Sequence, residues 1–216
     1  MVNSTILEEL VERYPRLAHL EGDIRKAAEC LTACFSDGRK LLICGNGGSG
    51  ADSDHIACEL MKGFEKSRPL KKEAKDRLTG FNSERGKYLA EKLQRGLPAI
   101  SLSSQTGLIT AISNDIDPDL IFAQQVTGYG EAGDVLIAIS CSGNSQNILD
   151  AAITARANGL KVIGLTGETG GKLGAFCNIL INVPGKRTAY IQELHRPVYH
   201  TLCRMVEDEI FGELVL

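Results

Sequence analysis

The stretch Leu41-Leu42-Ile43-Cys44-Gly45-Asn46-Gly47-Gly48-Ser49-Gly50 decides the fold. Its apolar run is too short for a helix and stops in a glycine loop, after which helical spacing continues to about Gly63, so it reads as strand, loop, helix. The same grammar returns at residues 97–102. It returns again at 134–140, where Ser140-Cys141-Ser142-Gly143-Asn144-Ser145 leads into a helix through Ala157. Residues 161–166 and 178–183 add two more continuous apolar runs. Five such strands alternating with helices predict an α/β fold: a three-layer α-β-α sandwich whose five-stranded parallel sheet is covered on both faces.

Two helices precede the first strand. Thr5-Ile6-Leu7-Glu8 has the form of a capping box, and Ile6, Leu7, Leu10, Val11 and Tyr14 keep helical spacing up to Pro15. Leu20, Ile24, Ala27, Ala28, Leu31 and Phe35 resume the period until Asp37-Gly38. A last helix is expected from about Thr188 to Phe211, with Pro197 bending it or marking its true start.

The chain of 216 residues is sized for one domain, 1–216, with its leading helices in 1–38. Hydrophobic residues are 43% and charged residues 24%, which fits a folded, soluble domain and removes disordered and coiled-coil readings. A net charge of −3 argues against a globally basic nucleic-acid binder. No run is long and apolar enough for a membrane helix, and Met1-Val2-Asn3-Ser4 runs into Glu8 and Glu9 without a signal-peptide core, so a cytoplasmic protein is expected. The seven cysteines include no CxxC pair and are read as reduced, mostly core residues. Residues 66–95 differ in carrying a net +6, which leaves −9 on the rest. They read as one or two exposed helices between the first two strands, a solvated excursion, an oligomer contact or a lid over an anionic ligand.

Gly45 to Gly50 formally matches the GxGxxG dinucleotide fingerprint, which also needs an acidic residue about 20 positions on. The next strand instead ends in Ser101-Leu102-Ser103-Ser104, so no nucleotide cofactor is expected. The loop at 140–145 points elsewhere. Backbone N–H groups at a helix start attract anions, and Ser140, Ser142 and Ser145 can donate to phosphate oxygens, which suits a phosphate monoester on a small polar ligand. His55 and Glu59, four apart on the helix after the first loop, leave one face together and can meet the same ligand or metal, or simply each other. Gln192, Glu193, His195 and His200 crowd the last helix, where Gln192 and His200 point within roughly 80° of each other on an ideal helix. His19 reads as an ordinary surface residue.

Taken together, Gly45-Asn46-Gly47-Gly48-Ser49 with Asp52, His55 and Glu59, then the 140–145 loop, then Ile191-Gln192-Glu193-Leu194-His195 with His200, resemble the sugar isomerase (SIS) fold, specifically the phosphoheptose isomerases. The resemblance covers nearly the whole chain. It implies an aldose-ketose isomerase acting on sedoheptulose 7-phosphate through an enediol, built as a homotetramer with active sites shared between subunits. It further implies that Glu59 and His200 form the acid/base pair and that His55, Glu59, Gln192 and His200 hold Zn2+. Asn46, Gly47, Ser49, Ser140, Ser142, Ser145 and Gln192 would bind the sugar phosphate. Three positions depart from the family pattern: Gln105 stands for an aspartate, Gly63 for an arginine with Lys62 beside it, and Cys141 for a threonine. The excursion is also longer than the family's. Two alternatives stay open: a non-catalytic sugar-phosphate-binding regulator of the same fold, and an isomerase for a sugar phosphate of different chain length. The regulator branch lacks the helix glutamate and the last histidine, both present here as Glu59 and His200.

Overall fold

The computed structural model describes residues 4–212. Strands β1 (Leu41–Gly45), β2 (Ala99–Ser101), β3 (Val135–Ser140), β4 (Lys161–Thr166) and β5 (Ile179–Asn182) form one sheet in the order β2-β1-β3-β4-β5. Every pairing is parallel, as the continuous apolar runs predict. Side chains alternate between two cores because successive residues of a strand face opposite ways. Leu41, Ile43, Ile137, Ile139, Ile163 and Leu165 face one core, and Leu42, Cys44, Leu136, Ala138 and Val162 face the other. A sheet buried on both faces has no polar alternation, so its strands show as short continuous apolar runs bounded by loops.

The first core is roofed by α1 (Ser4–Arg13), α2 (Glu21–Ser36), α3 (Gly48–Met61) and α9 (Thr188–Phe211). The second is covered by α7 (Ile121–Tyr129), α8 (Gln146–Ala157) and a short 3-10 turn at Lys172–Phe176. Helix α6 (Thr106–Asp115) and a 3-10 turn at Pro118–Leu120 complete the link from β2 to β3. Because β1 connects to β2 on one side and is flanked by β3 on the other, the crevice at the carboxyl ends of β1 and β3 is the topological switch point of the sheet. Both glycine-containing loops open there.

Some expectations are corrected. Thr5 lies inside α1 rather than at its cap. A 3-10 turn, Pro15–Leu20, separates α1 from α2. Pro197 neither starts nor ends α9, which continues from Thr188 to Phe211 around it. All seven cysteines are free, but Cys58 is exposed, while Cys34, Cys44 and Cys203 are buried. The charged segment forms a helical hairpin, α4 (Lys72–Phe81) and α5 (Arg85–Lys92), and α4 buries no residue, as a solvated excursion should. Its stem behaves differently: Arg68 is fully buried.

Candidate active site

The loop after β1 and the loop after β3 are joined by a reciprocal amide pair. Asn46 Nδ2 donates to Asn147 Oδ1 at 2.9 Å and Asn147 Nδ2 donates to Asn46 Oδ1 at 2.9 Å. Asn147, in the first turn of α8, carries no signal in the sequence because its role depends on a loop 101 residues away. Gly143 turns the second loop with φ of 65°, and a Cβ there would lie 2.2 Å from the Gly170 carbonyl oxygen, so the position needs glycine for both conformation and space. Ser140 Oγ donates to Ser145 Oγ at 3.3 Å, and the Ser142 hydroxyl accepts from Asn144 N–H at 3.1 Å.

These loops enclose a cavity of about 200 Å³ whose walls include Asn46, Ser49, Ser140, Ser142, Ser145 and Gln192. Six side chains singled out from the sequence therefore share one space. Gly47 faces a neighbouring hollow of about 350 Å³ with Asn46, Ser103 and Asp54. Asp54 accepts the Ser101 hydroxyl at 2.5 Å and also the Ser104 hydroxyl. A carboxylate thus stands by the end of β2 although Gln105 supplies none; it comes from α3, and Gln105 itself is the residue just before α6. Gln192 rests against the start of α3, where a Cβ on Gly48 would lie 2.6 Å from its Nε2. It also walls a cleft of about 570 Å³ shared with Asp52, His55 and Arg196. The serine-lined cavity and the histidine-lined cleft thus have Gln192 as a common wall.

Deeper along α3 the titratable groups converge. His55 Nε2 lies 3.1 Å from Glu59 Oε1 and 3.4 Å from His200 Nε2. The second carboxylate oxygen of Glu59 accepts from Lys62 Nζ at 2.9 Å, so the cation that Gly63 cannot provide is supplied one residue earlier. Phe64 covers one side of His200, with ring centroids 5.5 Å apart. Burial lowers the His200 pKa, helped by its proximity to His55. Behind His55 stands Tyr199, which the sequence analysis does not single out. Its hydroxyl lies 3.1 Å from Asp52 Oδ1 and 3.0 Å from His55 Nδ1. Burial raises the Asp52 carboxyl, an effect the Tyr199 hydrogen bond opposes.

His195 does not join the site. It is wholly buried, with Nε2 3.1 Å from the Thr166 carbonyl oxygen, and it braces α9 against the end of β4. Glu193 lines the cleft beside Arg196, and His19 is exposed. Among the described residues, no group of three or more His, Cys, Asp or Glu side chains is arranged as a metal cage as it stands.

The SIS domain family model matches residues 7–75 and 84–167. A phosphoheptose isomerase of Laribacter hongkongensis is 39% identical over 214 residues, 98% of this chain and 96% of that protein. One from Rhodospirillum rubrum is 40% identical over 195 residues, 90% of each chain. Among solved structures, the phosphoheptose isomerase of Neisseria gonorrhoeae superposes with a TM-score of 0.73 at 34% identity, covering 95% of this chain and 96% of that one. That of Francisella tularensis gives 0.71 at 30% identity, covering 94% and 98%. With this fold and this degree of identity over nearly its whole length, the chain belongs to the SIS domain family and, within it, to the phosphoheptose isomerases.

Proposed function

We propose that this isomerase interconverts sedoheptulose 7-phosphate and D-glycero-D-manno-heptose 7-phosphate. The observation that carries the reading is the single cavity formed by Asn46, Ser49, Ser140, Ser142, Ser145 and Gln192, joined through Gln192 to the cleft of His55. The serine loop and the α8 N-terminus receive the phosphate. The carbonyl end of the sugar then reaches toward Glu59 and His200. Glu59 takes a proton from C1 of the ketose while His200 gives one to the C2 carbonyl oxygen, forming the enediol. His200 then takes the proton of the C1 hydroxyl and Glu59 returns its proton to C2, leaving the aldose. Lys62 Nζ donates to one carboxylate oxygen of Glu59 at 2.9 Å, and His55 Nε2 lies 3.1 Å from the other, so both oxygens are held in place.

We also propose Zn2+ as the resident metal, held by His55, Glu59, Gln192 and His200. What supports it is the donor chemistry: two imidazole nitrogens and a carboxylate oxygen lie within 3.1–3.4 Å along the chain of contacts, with an amide nearby. Nitrogen and oxygen donors of this kind suit zinc, and closing them into a cage requires the Glu59 carboxylate to turn from His55 and Lys62. When bound, the ion supplies Lewis-acid stabilisation of the developing oxyanion.

A homotetramer with shared sites fits the open cleft of about 500 Å³ in which His200 is flanked by Glu9, Arg13 and Tyr14 of α1. A cytoplasmic location fits the finding that no helix among the described residues is long and apolar enough to cross a membrane. The deciding experiment follows sedoheptulose 7-phosphate by NMR with purified protein, with zinc, without it and after chelation. Formation of the aldoheptose phosphate is the expected result. Binding without conversion would overturn the heptose assignment, and conversion unaffected by chelation would overturn the zinc.

A further inference from the structure

We infer that the buried pair Arg68–Glu207 is the positioning device that sets Glu59 against His200. The inference rests on the isomerase reading above and concerns residues outside both cavities. Arg68 and Glu207 are each 0% exposed, and Arg68 Nε donates to Glu207 Oε1 at 2.7 Å. A buried ion pair does not by itself show a stabilising role, because desolvation offsets much of the attraction. What distinguishes this one is where its remaining hydrogen bonds go.

Helix α3 ends at Met61, so the carbonyls of its last turn lack helical partners. Arg68 serves two of them: Nη1 donates at 2.6 Å to the Leu60 carbonyl, which also accepts from Leu97 N–H at 3.0 Å, and Nη2 donates to the carbonyl of Glu59 itself at 3.2 Å. Glu207 gathers the turn that follows. It accepts from Phe64 N–H at 2.8 Å, Glu65 N–H at 2.7 Å and Lys66 N–H at 3.2 Å. With Arg68 this makes four donors on two carboxylate oxygens, which fills the lone-pair sites available. Phe64, whose backbone is fixed in this way, is the residue whose ring packs on His200.

Glu207 lies seven residues after His200 on α9, two turns along and only about 20° round the helix. One ion pair therefore grips the backbone of Glu59 on α3 and the face of α9 that carries His200. Arg68 also stacks on Phe211 of α9, 4.6 Å from the ring centroid, which restrains the guanidinium from a third side. The planar fork is needed because a point charge cannot reach a carboxylate and two carbonyls at once.

Arg68→Lys and Glu207→Gln test this. Arg68→Lys keeps the charge pair and removes the fork to the Glu59 and Leu60 carbonyls. The expected result is a folded protein whose kcat falls by about 10–100-fold while KM stays within threefold, since displacement of about 1 Å carries a cost of that size. Assaying well below each variant's measured unfolding midpoint keeps loss of fold out of the rate, and a defect that cooling abolishes would overturn the positioning role. A kcat within twofold of wild type in folded Arg68→Lys would also overturn it. If Arg68→Lys does not fold, Glu207→Gln, which keeps an acceptor for the turn, decides by the same two criteria. Wild-type protein that fails to convert sedoheptulose 7-phosphate would defeat the substrate reading instead, so the two failures are distinguishable.

Discussion

Tyr199 holds His55 from behind, its hydroxyl 3.0 Å from Nδ1 while also lying 3.1 Å from Asp52 Oδ1. Burial and the Asp52 charge push the phenol up to about 12, so it keeps its proton and donates it to the carboxylate. The phenol oxygen then accepts from Nδ1–H of His55. That occupies Nδ1 and turns Nε2 toward Glu59 and His200. The arrangement matches the outer partner that orients a ligating or acid/base histidine.

Removing that one hydroxyl should therefore weaken the site without disturbing the fold. In Tyr199→Phe, zinc affinity by chelator competition and kcat/KM are each expected to fall about 10–100-fold, the range for losing such a partner. Nitrogen-15 NMR of the imidazoles should show His55 losing its Nδ1–H preference. A variant with unchanged affinity and tautomer would show that Asp52 orients His55 unaided.

The sheet was legible because strands buried on both faces leave uninterrupted apolar runs, as in residues 161–166, and the switch-point loops because glycine and serine cluster after two of those runs. The site was legible only in part. His55 and Glu59 lie on one helix at fixed spacing, so their contact follows from the helix itself. Tyr199, Asn147 and Asp54 carry no signal in the sequence because each works through a partner on another element. Arg68 was misleading in a different way, since local charge density assigned it to solvent and only the distant Glu207 explains its burial. Pro197 does not mark the start of α9, which runs through it from Thr188.

The proposed acid/base pair should be far more sensitive than its surroundings. Glu59→Gln and His200→Ala are each expected to lower kcat by about 10²–10⁴-fold, the usual contribution of a positioned proton-transfer group. Circular dichroism should be unchanged, since neither residue belongs to the two cores. Steady-state rates with purified heptose phosphate check the outcome, and near-normal turnover in either variant would reassign the roles.

Phosphate recognition can be separated from chemistry at the 140–145 loop. Ser140→Ala with Ser142→Ala removes two hydroxyls from the cavity wall and leaves Glu59 and His200 untouched. KM should rise at least tenfold, with a smaller change in kcat, because each hydrogen bond to a charged group contributes about 1.5–3 kcal/mol. Calorimetry with substrate gives the same comparison without turnover. Unchanged affinity would place the phosphate outside this loop.

Acid should destabilise the fold through His195. Burial pulls this imidazole down to about 4, while in the unfolded chain it titrates near 6.5. Below 6.5 the unfolded state therefore binds a proton that the folded state refuses. Stability is fully present above 6.5 and is lost as the pH falls toward 4, by about 3 kcal/mol over the window. Asp52, raised by burial, acts in the opposite direction at the acid end, so the comparison that isolates His195 is between wild type and His195→Gln. Urea unfolding at pH 7, 6, 5 and 4.5 should show a falling stability in wild type and a flatter profile in the variant. Equal slopes would mean that His195 becomes protonated without opening the contact between α9 and the Thr166 carbonyl.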